Sequence, residues 1–279
     1  MNENEIDIPL DEIGYYDYAA RLGMPYFHWG GIRATDRLVE LLGITSDSDV
    51  LMVGCGTGYT ACHIAKETGC SLTGVDISPI MIKRAKERLE EWELEDQVMF
   101  VEGDAYELQF DNESFDSVMT EFVTVFLRKA KVFGEYYRVL KKGGKVGINE
   151  LYIEDNTPPS SIEKIKKAQE GFEKAIGLPL VIPTLNQWKE YFSSAGFEKI
   201  EQEKVDYKYS YREMISITGF GRLMRMSGRT LLDMAKNKQF RKRMWPVGKL
   251  KDILVRDKET RKYSGAVLCI GHKMQPYSS

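Results

Sequence analysis

Residues 49–60 read DVLMVGCGTGYT. Val50 to Val53 form a short apolar run ended by a turn signal, the pattern of a buried strand. Gly54, Gly56 and Gly58 follow at alternate positions. Apolar spacing then resumes at helical period, with Ala61, Ile64, Ala65 and Thr68 on one face and Gly69 where the helix should stop. A glycine turn from strand to helix lies at the carboxyl edge of a parallel sheet, where open α/β folds place their ligands. A backbone without side chains lets a ligand approach closely, and free amides at the helix start favour an anionic group. The spacing is G-x-G-x-G rather than the G-x-G-x-x-G that suits a dinucleotide pyrophosphate. An NAD(P)-dependent oxidoreductase is therefore the alternative and not the first expectation.

The rhythm continues downstream. SLTGVD (71–76) predicts a second strand ending in Asp76, and Ser78-Pro79 supplies an N-cap and a first-turn proline for a helix carrying Met81, Ala85 and Leu89. VMFVEGDA (98–105) and FDSVMTEF (115–122) predict strands three and four. VFGEYYRVLKKGGKVGINELYI (132–153) predicts a helix, a turn at Gly143-Gly144 and a fifth strand. Repeated βα units of this kind build a parallel sheet with right-handed crossovers. Asp76 follows Gly58 by 18 residues, close to the spacing at which an acid accepts from ribose hydroxyls, and Asp104 ends the third strand where it can receive an adenine amino group. Taken singly, either acid is as readily a solvated loop carboxylate or a helix cap.

At this point the chain resembles the class I S-adenosylmethionine-dependent methyltransferases, most closely their small-molecule, type 11-like branch. VLMVGCGTGYT, GVDIS, VEGDA, FDSVMTEF and YRVLKKGGKVGINE match that family's successive motifs in order over about 100 residues. The resemblance implies a Rossmann-like, doubly wound sheet of seven strands, the last antiparallel, with helical cap insertions. It implies S-adenosylmethionine as cofactor and a small molecule as methyl acceptor. It further implies that Gly54, Cys55, Gly56 and Gly58 line the methionine and ribose portion and that Asp76 holds the ribose hydroxyls. Ile77 and Met81 would press on adenine, Gly103, Asp104 and Ala105 would read its edge, and Glu121 and Phe122 would border the sulfonium. The aromatic segment YYDYAARLGMPYFHWGG (15–31) looks like the family's N-terminal cover, with Tyr18, His28 and Gly30 as contacts. A hydrophobic helix packed on the sheet is the plainer alternative for that segment.

Methyl transfer from a sulfonium needs alignment and exclusion of water more than an acid–base apparatus. An acceptor that carries a proton needs a base in reach. His28, Glu121, Glu150 and Tyr152 are the candidates, with His28 and Glu121 the expected catalytic pair. A protein that binds S-adenosylmethionine without catalysis is a further alternative.

Past Leu151, Pro158-Pro159 breaks the chain, and two capping boxes, Ser160/Glu163 and Thr184/Gln187, predict helices. Two late strands, around FEKIEQEKV (197–205) and GAVLCIGHK (265–273), bracket a helical basic stretch that Gly228 is expected to interrupt. Residues 1–48 are expected as cover helices, 49–151 as the cofactor-binding core, and 152–279 as the remaining strands with substrate-cap insertions, all in one domain.

Composition bounds the rest. The 279 residues are 43% hydrophobic and 29% charged with a net charge of −3, an ordinary globular balance that advertises neither nucleic acid nor an anionic membrane as main partner. From Arg222 to Arg243, however, eight Lys or Arg face one acid, Asp233. That stretch leaves a phosphate, a carboxylate or a lipid surface open as partner, so peripheral membrane contact and homo-oligomerisation both stay in view. The acidic N-terminus is neither a secretory signal nor a transit peptide, and no apolar run is long enough to span a membrane. Four cysteines without framework spacing fit a cytoplasmic location. Cys62 and His63 are neighbours that diverge on a helix, so no metal is expected.

Overall fold

The computed structural model describes residues 8–205 and 211–275; the acidic start Met1–Asp7, read above for targeting, lies outside them. In chain order the elements are α1 (Tyr15–Leu22), α2 (Gly31–Leu42), β1 (Asp49–Val53), α3 (Tyr59–Thr68), β2 (Ser71–Asp76), α4 (Pro79–Trp92), β3 (Val98–Glu102), β4 (Phe115–Glu121), α5 (Lys129–Val139) and β5 (Leu140–Ile153). They continue as α6 (Pro159–Ile176), α7 (Leu185–Ser194), β6 (Glu198–Val205), α8 (Tyr211–Thr218), α9 (Phe220–Lys236), α10 (Lys238–Val255) and β7 (Ser264–His272).

The seven strands form one sheet in the order β3-β2-β1-β4-β5-β7-β6. β1 to β5 pair in parallel, and β7 runs antiparallel to both β5 and β6. The chain therefore has the Rossmann-like architecture expected, with only its last strand reversed. Strand order reverses between β1 and β4, which puts the topological switch point beside the glycine turn that leaves β1. β1 is buried at four of its five residues because helices cover both faces. One core joins β1, β2 and β3 to Leu38, Ile64, Ala85 and Leu89 of α2, α3 and α4. The other joins β4, β5 and β7 to Phe133, Trp188 and Phe192 of α5 and α7. Full burial of such aromatic side chains stabilises by roughly 1.5–3 kcal/mol each, so these layers anchor the strand ends that carry the site. β6, at the sheet edge, bears Glu198, Lys199, Glu201, Glu203 and Lys204, charges that discourage edge pairing with another chain.

Local signals hold in most places. Ser78 caps α4 by accepting from the Met81 amide, with Pro79 in the first turn, and Thr184 and Gln187 make the reciprocal box that opens α7. Three expectations fail. α6 has no side-chain cap: Pro158 occupies the N-cap, so the Ser160/Glu163 box does not form. Gly143-Gly144 is not a turn before β5 but an irregularity within it, where the register jumps from Phe115↔Leu140 to Ser117↔Lys145. Gly228 leaves α9 unbroken, since one glycine lowers helix stability by only about 1 kcal/mol.

Candidate cofactor site

Gly54, Gly56 and Gly58 all adopt left-handed backbone, with φ of +72°, +53° and +76°. A Cβ added at Gly54 would lie 2.3 Å from Val123, and one at Gly58 would lie 2.7 Å from Ala85 and 2.8 Å from Phe100, so both positions are closed by packing. At Gly56 the added atom would meet only the Phe27 ring, at 3.7 Å. Gly56 thus borders a space lined on its other side by an aromatic face.

The turn is locked to the end of β2. Gly54 and Cys55 donate their amides to the Val75 carbonyl at 2.7 and 3.0 Å. The Gly56 amide donates to Asp76 Oδ2 at 2.8 Å, and the Ser78 amide donates to Oδ1 at 2.9 Å. Two amides fix the Asp76 carboxylate and leave each oxygen further lone-pair capacity. Burial raises the Asp76 pKa, and these same amides oppose the rise. Ile77, next along, is 68% exposed at the sheet rim, while Met81 is buried in the first turn of α4. Gly103 donates to the Asp76 carbonyl at 3.0 Å, Asp104 is exposed and accepts from the Tyr106 amide, and Ala105 is half-buried. Gly56, Asp76, Ile77 and Gly103 to Ala105 therefore converge at three adjacent strand ends. Cys55 and the other three cysteines are buried free thiols, and burial pushes the Cys55 thiol well up.

Glu121 and Phe122 end β4. Phe122 holds φ +57°, a conformation that costs a bulky residue about 1–3 kcal/mol, and its amide donates to the Asn149 carbonyl. Glu121 is buried and accepts from the Thr35 hydroxyl at 3.0 Å and from Asn149 Nδ2 at 3.0 Å. His28 stacks on Tyr26, with Nδ1 3.6 Å from Glu121 and Nε2 3.1 Å from Thr35 and 3.2 Å from the Gly31 carbonyl. The two candidate catalytic residues thus form one buried cluster with Thr35 and Asn149, under α2. Gly30 caps α2 at φ +84°, where a Cβ would strike Ala34 and Val205. The Tyr18 hydroxyl donates to Asp233 at 3.1 Å, and its ring packs edge-on to Phe240.

Three residues outside the predicted set complete the rim. Tyr16 stands between Phe27 (centroids 5.5 Å apart) and Phe126 (6.0 Å), and its buried hydroxyl has no hydrogen-bond partner among the described residues. Their aromatic segment was legible for Tyr16 and Phe27; nothing in sequence brings Phe126 to them. Neighbouring Asp17 accepts from the Ser78 hydroxyl at 3.2 Å, laying α1 across the start of α4. Of the further proton-acceptor candidates, Tyr152 donates to Glu154 at 3.5 Å. Glu150 is the more telling. Its Oε1 accepts from the Val123 and Thr124 amides at 2.9 and 2.6 Å, while Oε2 is buried with no partner among the described residues. Burial raises Glu150 to about 7 against the opposing pull of those amides and Lys129. Lys129 itself is lowered by burial to about 8 and donates to the Val125 and Val181 carbonyls.

Residues 50–144 match the family described as a methyltransferase domain. An uncharacterized protein of Haemophilus influenzae is 32% identical over 194 residues, 68% of this chain and 74% of that one. The chain belongs to the class I S-adenosylmethionine-dependent methyltransferases. Among named relatives of this methyltransferase, the sterol 24-C-methyltransferase of Neurospora crassa is 34% identical over 169 residues, 60% of this chain and 44% of that enzyme. The match thus spans less than half the length of the sterol enzyme. Phosphoethanolamine N-methyltransferase 2 of Haemonchus contortus, solved with S-adenosyl-L-methionine, shares the fold: TM-score 0.66 at 24% identity, over 98% of this chain and 59% of that one. Among the described residues no cluster of His, Cys, Asp and Glu could hold a metal ion, and no helix is long and apolar enough to cross a membrane.

Proposed function

We infer that this methyltransferase passes a methyl group from S-adenosylmethionine to a small-molecule acceptor that lies beneath α1, against Tyr16, Phe126 and Glu150. One observation supports the donor side most: at Gly56 the missing side chain leaves space, and the same residue's amide orients the Asp76 carboxylate. In this reading Gly54, Cys55 and Gly58 shape the turn, Asp76 accepts from the ribose, and Ile77 with Met81 borders adenine. Gly103, Asp104 and Ala105 flank the adenine edge, and Glu121 and Phe122 close the sulfonium side.

Bound there, the donor supplies a methyl group already activated by positive sulfur. The chain then has to align the acceptor and exclude water. Tyr16, Phe27 and Phe126 present ring surface suited to a cationic methyl. In this reading Glu150, its carboxyl raised by burial to about 7, would accept a hydrogen bond and then a proton at Oε2 from an N–H or O–H acceptor. The burial of His28 and Glu121 supports a positioning role: through Thr35 and Asn149 they hold the cover segment, with Gly30, to the end of β4. Tyr18 supports that cover from its other side. Segment 49–151 carries the donor, and the flanking segments 1–48 and 152–279 supply the acceptor side.

The four buried free thiols support a cytoplasmic setting. Exposed Phe220, Met224 and Leu231 along α9 form the strip to which peripheral membrane or homo-oligomer contact maps.

Incubation with donor labelled in the methyl group, across a panel of amine, hydroxyl and apolar acceptors, tests the proposal. Label transfer by the native chain and its loss in Asp76→Ala are expected. Donor binding without transfer to any acceptor would leave a binding protein instead.

A further inference from the structure

A cavity of about 200 Å³ opens outside the cofactor groove, between the end of α1, the outer face of α4 and the start of α9. At about 30 Å³ per water, it holds roughly seven waters' worth of volume, enough for a phosphoryl group. Its wall is strongly basic. Arg88, on α4, reaches the glycine turn and donates to the Thr57 carbonyl and, at 2.9 Å, to the Thr57 hydroxyl. Arg222 and Arg225, one turn of α9 apart, face it from the opposite side. Neither makes an ion pair or hydrogen bond with a described residue, and Arg88 pairs with no carboxylate among the described residues. Of the two acids in the wall, Glu87 is already engaged by Arg84 at 2.7 Å, leaving Glu91.

Guanidinium groups repel one another when drawn together. Here burial lowers the Arg88 pKa and the charge of Arg222 adds to that effect, while Cys62, Glu91 and Tyr59 oppose it. The planar donor fork of arginine matches phosphate oxygens two at a time. Arg88 and Arg222 are half-buried and Arg225 is exposed, and all three line the same cavity.

We propose that this cavity is a second binding site, distinct from the donor groove, that takes a phosphoryl group between Arg88, Arg222 and Arg225. The ligand is either a soluble phosphorylated molecule or the headgroup of an anionic phospholipid, and the recognition chemistry is the same for both. Because Arg88 grips Thr57, between Gly56 and Gly58, an occupant would also bear on the turn that cradles the donor.

Calorimetry of the full chain with pyrophosphate, and sedimentation with phosphatidylcholine vesicles with and without phosphatidic acid, test the site. Arg222→Gln/Arg225→Gln should weaken binding by roughly tenfold or more while leaving S-adenosylhomocysteine affinity within about twofold. Lys236→Gln/Lys242→Gln removes the same charge from exposed positions outside the cavity and should bind as the native chain does. Heat with pyrophosphate identifies a soluble ligand; binding only to phosphatidic acid vesicles identifies a lipid headgroup. Asp76→Ala should lose the nucleoside but keep the phosphoryl ligand, which separates this proposal from the donor site. No binding in either format, or equal weakening by the two double variants, overturns it.

Discussion

An alanine at Gly58 would bring its Cβ to 2.7 Å from Ala85 and would have to hold φ near +76°, whereas the same change at Gly56 meets nothing closer than a ring at 3.7 Å. Both variants carry left-handed strain of about 1–2 kcal/mol, but only Gly58→Ala adds overpacking of about 1–3 kcal/mol. Urea unfolding should therefore rank Gly58→Ala well below Gly56→Ala in stability. Titration with S-adenosylhomocysteine should rank them the other way, since Gly56→Ala fills ligand space. Equal losses in both assays would mean that the three glycines serve packing alone. At this scale the turn and Asp76 were legible because their motifs recur in a fixed order along one chain. Tyr16, Phe126 and the free oxygen of Glu150 were less so: their meeting depends on a cover helix folding back over a turn after β4, and no spacing encodes that. The Ser160/Glu163 box failed because Pro158 and Pro159 already fix the extended backbone and the first turn, leaving the serine inside the helix.

Two elements frame the proposed acceptor side, and each can be perturbed separately. The turn after β4 hangs on Glu150, whose pKa near 7 exceeds the 4.5 of an unperturbed glutamate. The folded state thus keeps this proton longer than the unfolded state does. The group's contribution to stability is most favourable below about pH 4.5, declines as pH rises toward 7, and is flat above, by up to about 3 kcal/mol. Glu150→Gln should remove that decline, which urea midpoints compared between pH 5 and 8 would show. It should also remove the rise of turnover through pH 7 that a carboxylate base produces. Helix α1 is the second element. If Tyr18 serves as a clamp to α9, Tyr18→Phe should lower stability by about 1–2 kcal/mol through loss of the bond to buried Asp233, with donor affinity nearly unchanged. A large loss of donor affinity at unchanged stability would make Tyr18 a cofactor contact.

For the molecule as a whole, the alternation of strands and helices from Asp49 to Leu151 announced the parallel sheet, and periodicity alone placed β6 and β7. What periodicity could not supply was strand order, because β7 enters between β5 and β6 and so pairs strands distant in sequence. The cap helices α8 to α10 were visible only as a basic, apolar-spaced stretch; α9 lies beside α1 and α4 at a cavity whose walls come from four separate segments. The sheet's reversal of strand order beside Gly54 would account for the proposed donor contacts gathering on β1, β2 and β3 while the proposed acceptor side is built from α1 and the turn after β4. All of this depends on the rim recognising an adenosyl ligand through Asp76. Calorimetric titration of the native chain and of Asp76→Ala with S-adenosylhomocysteine is the most direct measurement. The native chain should bind, and the variant, with an unchanged melting profile, should bind at least about thirtyfold more weakly. No heat from the native chain, or affinities within about threefold of each other, would contradict the account.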